Sequence, residues 1–233
     1  LVLGYTPVEL FGQAIENDII LTIYDVNHGI LLSKEAEKLG KTAQVHLKLE
    51  TGMNRLGFLP EKKSVKEIAS LYQLTNLKIE GIFSHLARAD ETDKNWAYKQ
   101  KVIFDNFYKQ LSDIGVTIPI RHLSNSAAII DLPDFNYEMV RPGIMLTGLY
   151  PSNEVSKSNV RLKLAFKLKA NLAFVKTIKK GDGVSYGHQF VAEREMIVGT
   201  IPIGYADGFT RMLTGKMTVF VKGITCRILG RIC

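Results

Sequence analysis

Residues 45–58 read "VHLKLETGMNRLGF". Val45, Leu47 and Leu49 alternate with His46, Lys48 and Glu50, the period-two pattern of a β-strand. Gly52, Asn54 and Gly57 then break it. A strand inside a layered α/β protein is usually apolar on both faces. Here one face carries an imidazole, an ammonium and a carboxylate, and Arg55 follows at once. Whatever lies against that polar face decides what this strand is for.

Working outward, strand and helix patterns alternate along the first part of the chain. Residues 1–4 read as a strand and "TPVELFGQAIEN" as a short helix. A strand over 19–24 precedes a helix capped by Asp25, running to about Leu39 and stopped by Gly40. After the opening strand, Ser64 and Glu67 have capping-box spacing and start a helix to about Leu74. A strand over 78–84 leads to a long helix over 93–114, capped by Thr92 and closed by Gly115. Its expected core stripe is Trp96, Val102, Ile103, Phe107 and Leu111. A strand over 119–123, a short helix from Ser126 and a strand over 138–141 complete the series.

This alternation is an α/β pattern and implies a parallel sheet, either doubly wound or a (β/α)8 barrel. No G-x-G-x-x-G follows the early strands, which weakens a dinucleotide fold. Near Pro151 the texture changes to polar "SNEVSKSN", then to strands divided by Gly, Asp and Lys turns. The expected division is therefore 1–155 and a mainly β domain over 156–233.

The chain has 233 residues, 46% of them apolar, so a sizeable core is expected. Its formal charge is +7, but the lysines are scattered and form no stripe interleaved with aromatics. Small anions fit this charge better than nucleic acid does. No apolar run is long enough for a membrane span. Cys226 and Cys233 lie in strand-like sequence and match neither a zinc pattern nor a disulfide framework. They read as two buried or half-buried thiols in a reducing, cytoplasmic setting.

In a parallel barrel, chemistry gathers at the C-terminal ends of the strands. Those ends carry Lys48 with Arg55, then His85, then His122 with Asn125 and Ser126, then Arg141 with Gly143. Pro142 keeps Arg141 extended. Gly143 opens the backbone N–H groups of Gly143 and Ile144 to a ligand. Ser126 adds a hydroxyl at a helix start. Together these suggest a phosphate cradle, although an Arg-Pro-Gly turn with a capping serine has the same composition. His85 and His122 lack close partners at metal-ligand spacing, so no metal is expected. Tyr186, in "GVSYGHQF", reads as strand packing unless nearby cations lower its pKa.

Taken in order, "LKLETGMNRLGF", "GIFSHLARAD", "RHLSNSAAII", "MVRPGIMLTGLYPS", "GVSYG", "IPIGYADGF" and "GRIC" resemble the alanine racemases, across nearly the whole chain. The resemblance implies a TIM-type barrel, N-terminally incomplete here, followed by a truncated β domain. It implies pyridoxal 5'-phosphate as cofactor, a homodimer with shared active sites, and D-alanine for bacterial peptidoglycan. By the same resemblance Tyr186 is a catalytic base supplied by the partner subunit, and Arg141 faces the pyridine nitrogen. Ser126, Gly143 and Ile144 hold the phosphate, His85 and Asn125 also bind the cofactor, Arg55 lies near the phenolic oxygen, and Tyr205 lines the substrate entryway. His85 and His122 form a network with Tyr186 and Arg141. Lys48 matches a lysine that can carry a carbamate, which would hold Arg55 by charge-assisted hydrogen bonds.

Glu50 and Asn54 stand where the family often has Asp and Gly. No lysine here matches the one that holds the cofactor aldehyde. The resemblance therefore implies a fragment that is inactive alone. Two rival expectations are a serine racemase of the same fold and a non-catalytic pyridoxal-phosphate-binding barrel. The β-domain motifs argue against the second.

Overall fold

The structure is a computed structural model that describes residues 1–233. The chain divides into two compact units, Leu1–Ala165 and Phe166–Cys233.

In the first unit, β1 (Leu21–Ile23), β2 (Ala43–Lys48), β3 (Leu77–Phe83) and β4 (Ile120–His122) form one parallel sheet in the order β1-β2-β3-β4. Each strand lies beside its predecessor, so the sheet has no reversal of winding. That is the topology of a barrel wall and not of a doubly wound fold. The helices are α1 (Phe11–Glu16), α2 (Val26–Lys38), α3 (Lys62–Tyr72), α4 (Asn95–Asp113) and α5 (Ser126–Asp131).

α2 forms where the sequence signals it. The Asp25 carboxylate accepts the His28 N–H at 2.9 Å, and Gly40 turns out of the helix at φ +62°. Other elements differ from the sequence reading. Residues 1–4 form no strand; the Val2 N–H donates to Ile20 O at 2.9 Å, and Val2 O accepts from Thr22 at 2.6 Å. α3 begins at Lys62, and Ser64, expected as its cap, is buried inside it. α4 begins at Asn95, because Thr92 gives both its N–H and its hydroxyl to the Glu154 carboxylate instead of capping. Residues 138–141 form no ladder: Met139 and Arg141 donate to Arg121 O and Ser124 O, and Pro142 has no N–H to extend the series.

The core lies between the sheet and its helices. Val45 and Leu47 of β2 are fully buried with Leu32, Ile68, Phe104 and Phe107. A second cluster gathers Leu123, Ala127, Ala128, Leu132 and Phe135 beneath α5. Val160 packs on it, Tyr150 donates to Val160 O, and the Ala165 N–H donates to Thr147 O. These contacts tie residues 156–165 to the first unit, past the boundary expected at 155.

The second unit is mainly β. It contains β5 (Phe174–Ile178), β6 (Gly183–Val184), β7 (Phe190–Val191), β8 (Met196–Thr200), β9 (Thr218–Val221) and β10 (Ile224–Arg227), paired antiparallel as β5–β8, β6–β7 and β9–β10. Cys226 is half-buried, whereas Cys233 is exposed, contrary to expectation. No helix in the structure is long and apolar enough to cross a membrane.

Candidate active site

The polar face of β2 is buried. His46 and Lys48 are each 2% exposed, and aromatic rings meet them. His46 reaches His122 of β4, Nδ1 to Nε2, at 2.7 Å. Phe83, at the end of β3, stacks on His122 with ring centroids 4.6 Å apart. The same ring lies 5.6 Å from Lys48 Nζ and 5.2 Å from Arg141 Cζ. Phe83 thus offers a π face to each cation.

Arg141 is held almost completely. Nη1 donates to His122 Nδ1 at 2.7 Å and to His122 O at 2.9 Å. Nη2 donates to Ser84 O at 2.6 Å and to Leu123 O at 3.1 Å. A guanidinium has five N–H donors and no acceptor. Four are spent on the protein, and Nε–H is the one left over. Burial pushes Arg141 down to about 10, so it stays a cation near neutral pH.

That geometry fixes the histidine tautomers. Because Arg141 can only donate, His122 Nδ1 accepts, and its proton sits on Nε2. His122 therefore donates to His46 Nδ1, and the His46 proton sits on Nε2, a buried atom with no partner in the structure. Both rings are neutral. Burial, then the Arg141 charge, pushes His122 far below the usual imidazole range, and burial first of all pushes His46 down to about 4. His85 is likewise held at about 4 by burial and by the charges of Arg141, Arg55 and Lys48.

Lys48 Nζ donates to Leu49 O at 3.0 Å. Burial pushes this amine down to about 8 against the pull of Glu50, and Arg141 and Arg55 lower it further. The loop after β2 is built around Glu50. Its carboxylate accepts the N–H groups of Gly52 at 2.5 Å, Met53 at 2.6 Å and Arg55 at 3.1 Å. Burial would raise its pKa, but bonds from the backbone of Asn54, Gly52, Arg55 and Met53 outweigh that and hold it low. The chain then folds back, with Phe58 N–H on Lys48 O and Glu50 N–H on Phe58 O, both at 2.8 Å. Gly57, at φ +134°, permits that approach, because an added Cβ would lie 2.9 Å from Lys48 O. Arg55 is carried on this loop with an exposed side chain.

Ser126 lies at the start of α5, where Asn125 is the cap: Asn125 Oδ1 accepts the Ala128 N–H at 3.1 Å. The Ser126 hydroxyl accepts from Gly143 N–H at 2.9 Å and Met145 N–H at 3.4 Å. Its own proton remains free to donate. At Gly143 an added Cβ would meet only that hydroxyl, at 3.8 Å, so the backbone is approachable. Ile144 opens a single 3-10 turn there.

Tyr186 and Tyr205 belong to the second unit. Tyr186 opens a short turn after β6 and is 69% exposed, not packed in a strand. Ser185 before it sits at φ +65°, fixed by its hydroxyl donating to Arg231 O at 2.6 Å. Tyr205 is also exposed; its N–H donates to Cys233 O at 3.1 Å, and Arg211 lies 5.5 Å over its ring. Sequence reasoning passed over His46, Thr51, Ser84 and Gln100 as site members. Of these only His46 left a signal, as a polar residue on the inward face of a central strand.

The family model described as alanine racemase, N-terminal domain, matches residues 1–151, and that described as alanine racemase, C-terminal domain, matches residues 165–233. The chain belongs to the alanine racemase family. It is 45% identical over 233 residues to the alanine racemase of Clostridium novyi (strain NT), covering 100% of this chain and 60% of that protein. It is 46% identical over 233 residues to the alanine racemase of Methanococcus maripaludis, covering 100% of this chain and 62% of that protein. Among solved structures, the alanine racemase of Clostridium difficile 630 superposes with a TM-score of 0.91 at 43% identity, covering 99% of this chain and 60% of that one. The chain spans about 60% of the length of the curated alanine racemases it matches. Its first unit is part of a (β/α)8 barrel, and its second is the family's β domain.

Proposed function

We propose that the full-length protein to which this chain belongs interconverts L- and D-alanine using pyridoxal 5'-phosphate, as a cytoplasmic homodimer whose product feeds peptidoglycan. The observation that carries this reading is Arg141, a half-buried cation with four donors committed and only Nε–H to offer. An aromatic ring nitrogen is an acceptor that matches such a donor. The donor set fits the rest of the cofactor as well. Ser126 keeps a free hydroxyl proton beside the open backbone of Gly143 and Ile144, which suits a phosphate. Asn125 holds the helix start that presents Ser126.

When bound, the cofactor supplies an electron sink for the pair left on the substrate α-carbon. Arg141 donates a hydrogen bond without surrendering its proton, which limits that sink and disfavours side reactions. His122 and His46, locked neutral, keep Arg141 in place. His85 stays neutral under the charges around it. Tyr186 of the partner subunit moves the proton at one face of the α-carbon, with Tyr205 at the substrate entryway. Lys48, a buried amine of lowered pKa, adds to carbon dioxide and releases a proton. The resulting carbamate anion steadies Arg55 near the phenolic oxygen.

Racemisation of L-alanine and of L-serine by the purified full-length protein tests this reading, with intact mass measured on the same sample. We expect alanine to be preferred and Tyr186→Phe to lower turnover by roughly 100-fold or more with cofactor absorbance retained. The mass should show one added carbon dioxide, lost in Lys48→Ala. Faster serine turnover would assign a serine racemase. Cofactor bound without racemisation would leave a carrier barrel, and full activity in Tyr186→Phe would remove the two-base mechanism.

A further inference from the structure

Gln100 lies in the middle of α4, yet it is fully buried and every polar atom of its amide is paired. Oε1 accepts the Ala87 N–H at 2.9 Å. Nε2 donates to His85 O at 3.0 Å and to Thr51 Oγ1 at 3.1 Å. The partners fix the amide orientation, since a backbone N–H needs an oxygen and a carbonyl needs an N–H. One side chain therefore bonds the loop after β2 and, on both sides of Leu86, the loop after β3.

The bonding continues past Gln100. Thr51 accepts from the amide, so its hydroxyl proton is free for Ser84 Oγ, 2.7 Å away. Ser84 is fully buried, and its carbonyl accepts from Arg141 Nη2 at 2.6 Å. His85 stands between the two points that Gln100 governs, Ser84 through Thr51 and its own carbonyl directly. Apolar packing does not require this arrangement. Phe104, Phe107 and Leu111 already bury the same face of α4, and a buried amide is tolerated only when its bonds are made.

We propose that Gln100 is a positioning residue for the site: it sets the backbone of residues 84–87, which carries His85 and the Ser84 carbonyl that holds Arg141, and it aligns Thr51 and Ser84 behind them. The inference rests on the racemase reading for its catalytic consequence, but its structural content does not.

The test is Gln100→Met, which keeps the volume and removes all three bonds. His85 is followed by NMR of histidine-labelled full-length protein, and racemisation of L-alanine is measured in parallel. The expected result is a cooperatively folded variant in which the His85 titration moves up by at least about one pH unit toward the ordinary imidazole value. Alanine turnover should fall by roughly 10- to 100-fold, more in kcat than in KM. Thr51→Val, which removes one arm, should leave the His85 titration in place. A folded Gln100→Met protein with an unmoved His85 titration would overturn the proposal, whatever its activity. A moved titration with unchanged turnover would support the positioning and remove its catalytic consequence, whereas a wild-type protein that does not racemise alanine would count against the racemase reading instead. Wild-type exchange covers the case in which the variant does not fold. The Gln100 amide protons and the Ala87 N–H should exchange with D2O at least roughly tenfold more slowly than the exposed Arg88 amide. Equal rates would overturn it.

Discussion

An added methyl at Gly81 would fall directly on the His46 ring. β2 and β3 shift register between Val45 and His46, and the shift sets Gly81 opposite His46. The strand gives up a side chain there so that an imidazole can lie flat across it. Gly81→Ala must push that ring, and with it the 2.7 Å bond to His122 that supports Arg141. The expected cost is about 1–3 kcal/mol in unfolding free energy from overpacking. The variant should also weaken cofactor retention, because Arg141 loses its backing. Denaturant titration and cofactor absorbance check both. A Gly81→Ala protein with wild-type stability would mean that the ring has room the structure does not show. At this scale the sequence was informative where a residue breaks a pattern: His46 and Lys48 stand out as polar positions of a central strand. Gly81 marked only a weak point inside its strand, since a strand glycine does not say which side chain approaches it until the ring across from it is seen.

At the scale of elements, legibility followed the physics of each signal. The capping aspartate and stopping glycine of α2 act locally, so they could be read from the sequence. The stripe of α4 was legible only in its second half, where Phe107 and Leu111 are buried as expected. The structure buries Ala97, Gln100, Phe104, Phe107 and Leu111, while Trp96 and Val102 are 39% and 57% exposed. Apolar periodicity never selects a glutamine, so the phase slipped by a position in the first half of the helix. Thr92 misled because a tertiary acceptor, Glu154, takes its N–H and hydroxyl, and Ser64 misled because the helix starts before it. The loop after β2 shows the opposite case. Its one carboxylate, Glu50, gathers three backbone N–H groups, and a longer side chain than aspartate still reaches them. Removing it in Glu50→Ala leaves those donors without their anion. A hydrogen bond to a charged group contributes about 1.5–3 kcal/mol. Exchange of the Gly52, Met53 and Arg55 amides should therefore accelerate by roughly tenfold or more, with Lys48 and Phe83 amides unaffected. Glu50→Gln should fall between, and uniform exchange across the three proteins would refute this account of the loop.

For the whole molecule, the division into a barrel part and a β part was legible, because helical periodicity stops and turn residues multiply. The position of the division was not, because residues 156–165 look like linker and only their contacts with Ile130, Tyr150 and Thr147 reveal where they belong. What the composition hid altogether is how much of the site is kept uncharged. His46 and His85 are held at about 4, and His122 lower still. In the unfolded chain the same rings titrate near 6.5. Above that pH both states are neutral and the burial carries no protonation penalty. Below it the unfolded chain binds protons that the native state refuses, so stability falls as pH drops from about 6.5 to about 4. Each ring contributes up to about 1.4 kcal/mol per pH unit in that window. The ordinary carboxylates have not begun to protonate over most of it. Trp96, the single tryptophan, lies in the first unit and reports its unfolding. The urea midpoint followed by its fluorescence should drop clearly between pH 7 and pH 5. It should drop less in His85→Gln, which removes one refusing ring. A midpoint constant over that range would mean the three imidazoles accept protons in the folded protein, and the neutral relay behind Arg141 would have to be abandoned.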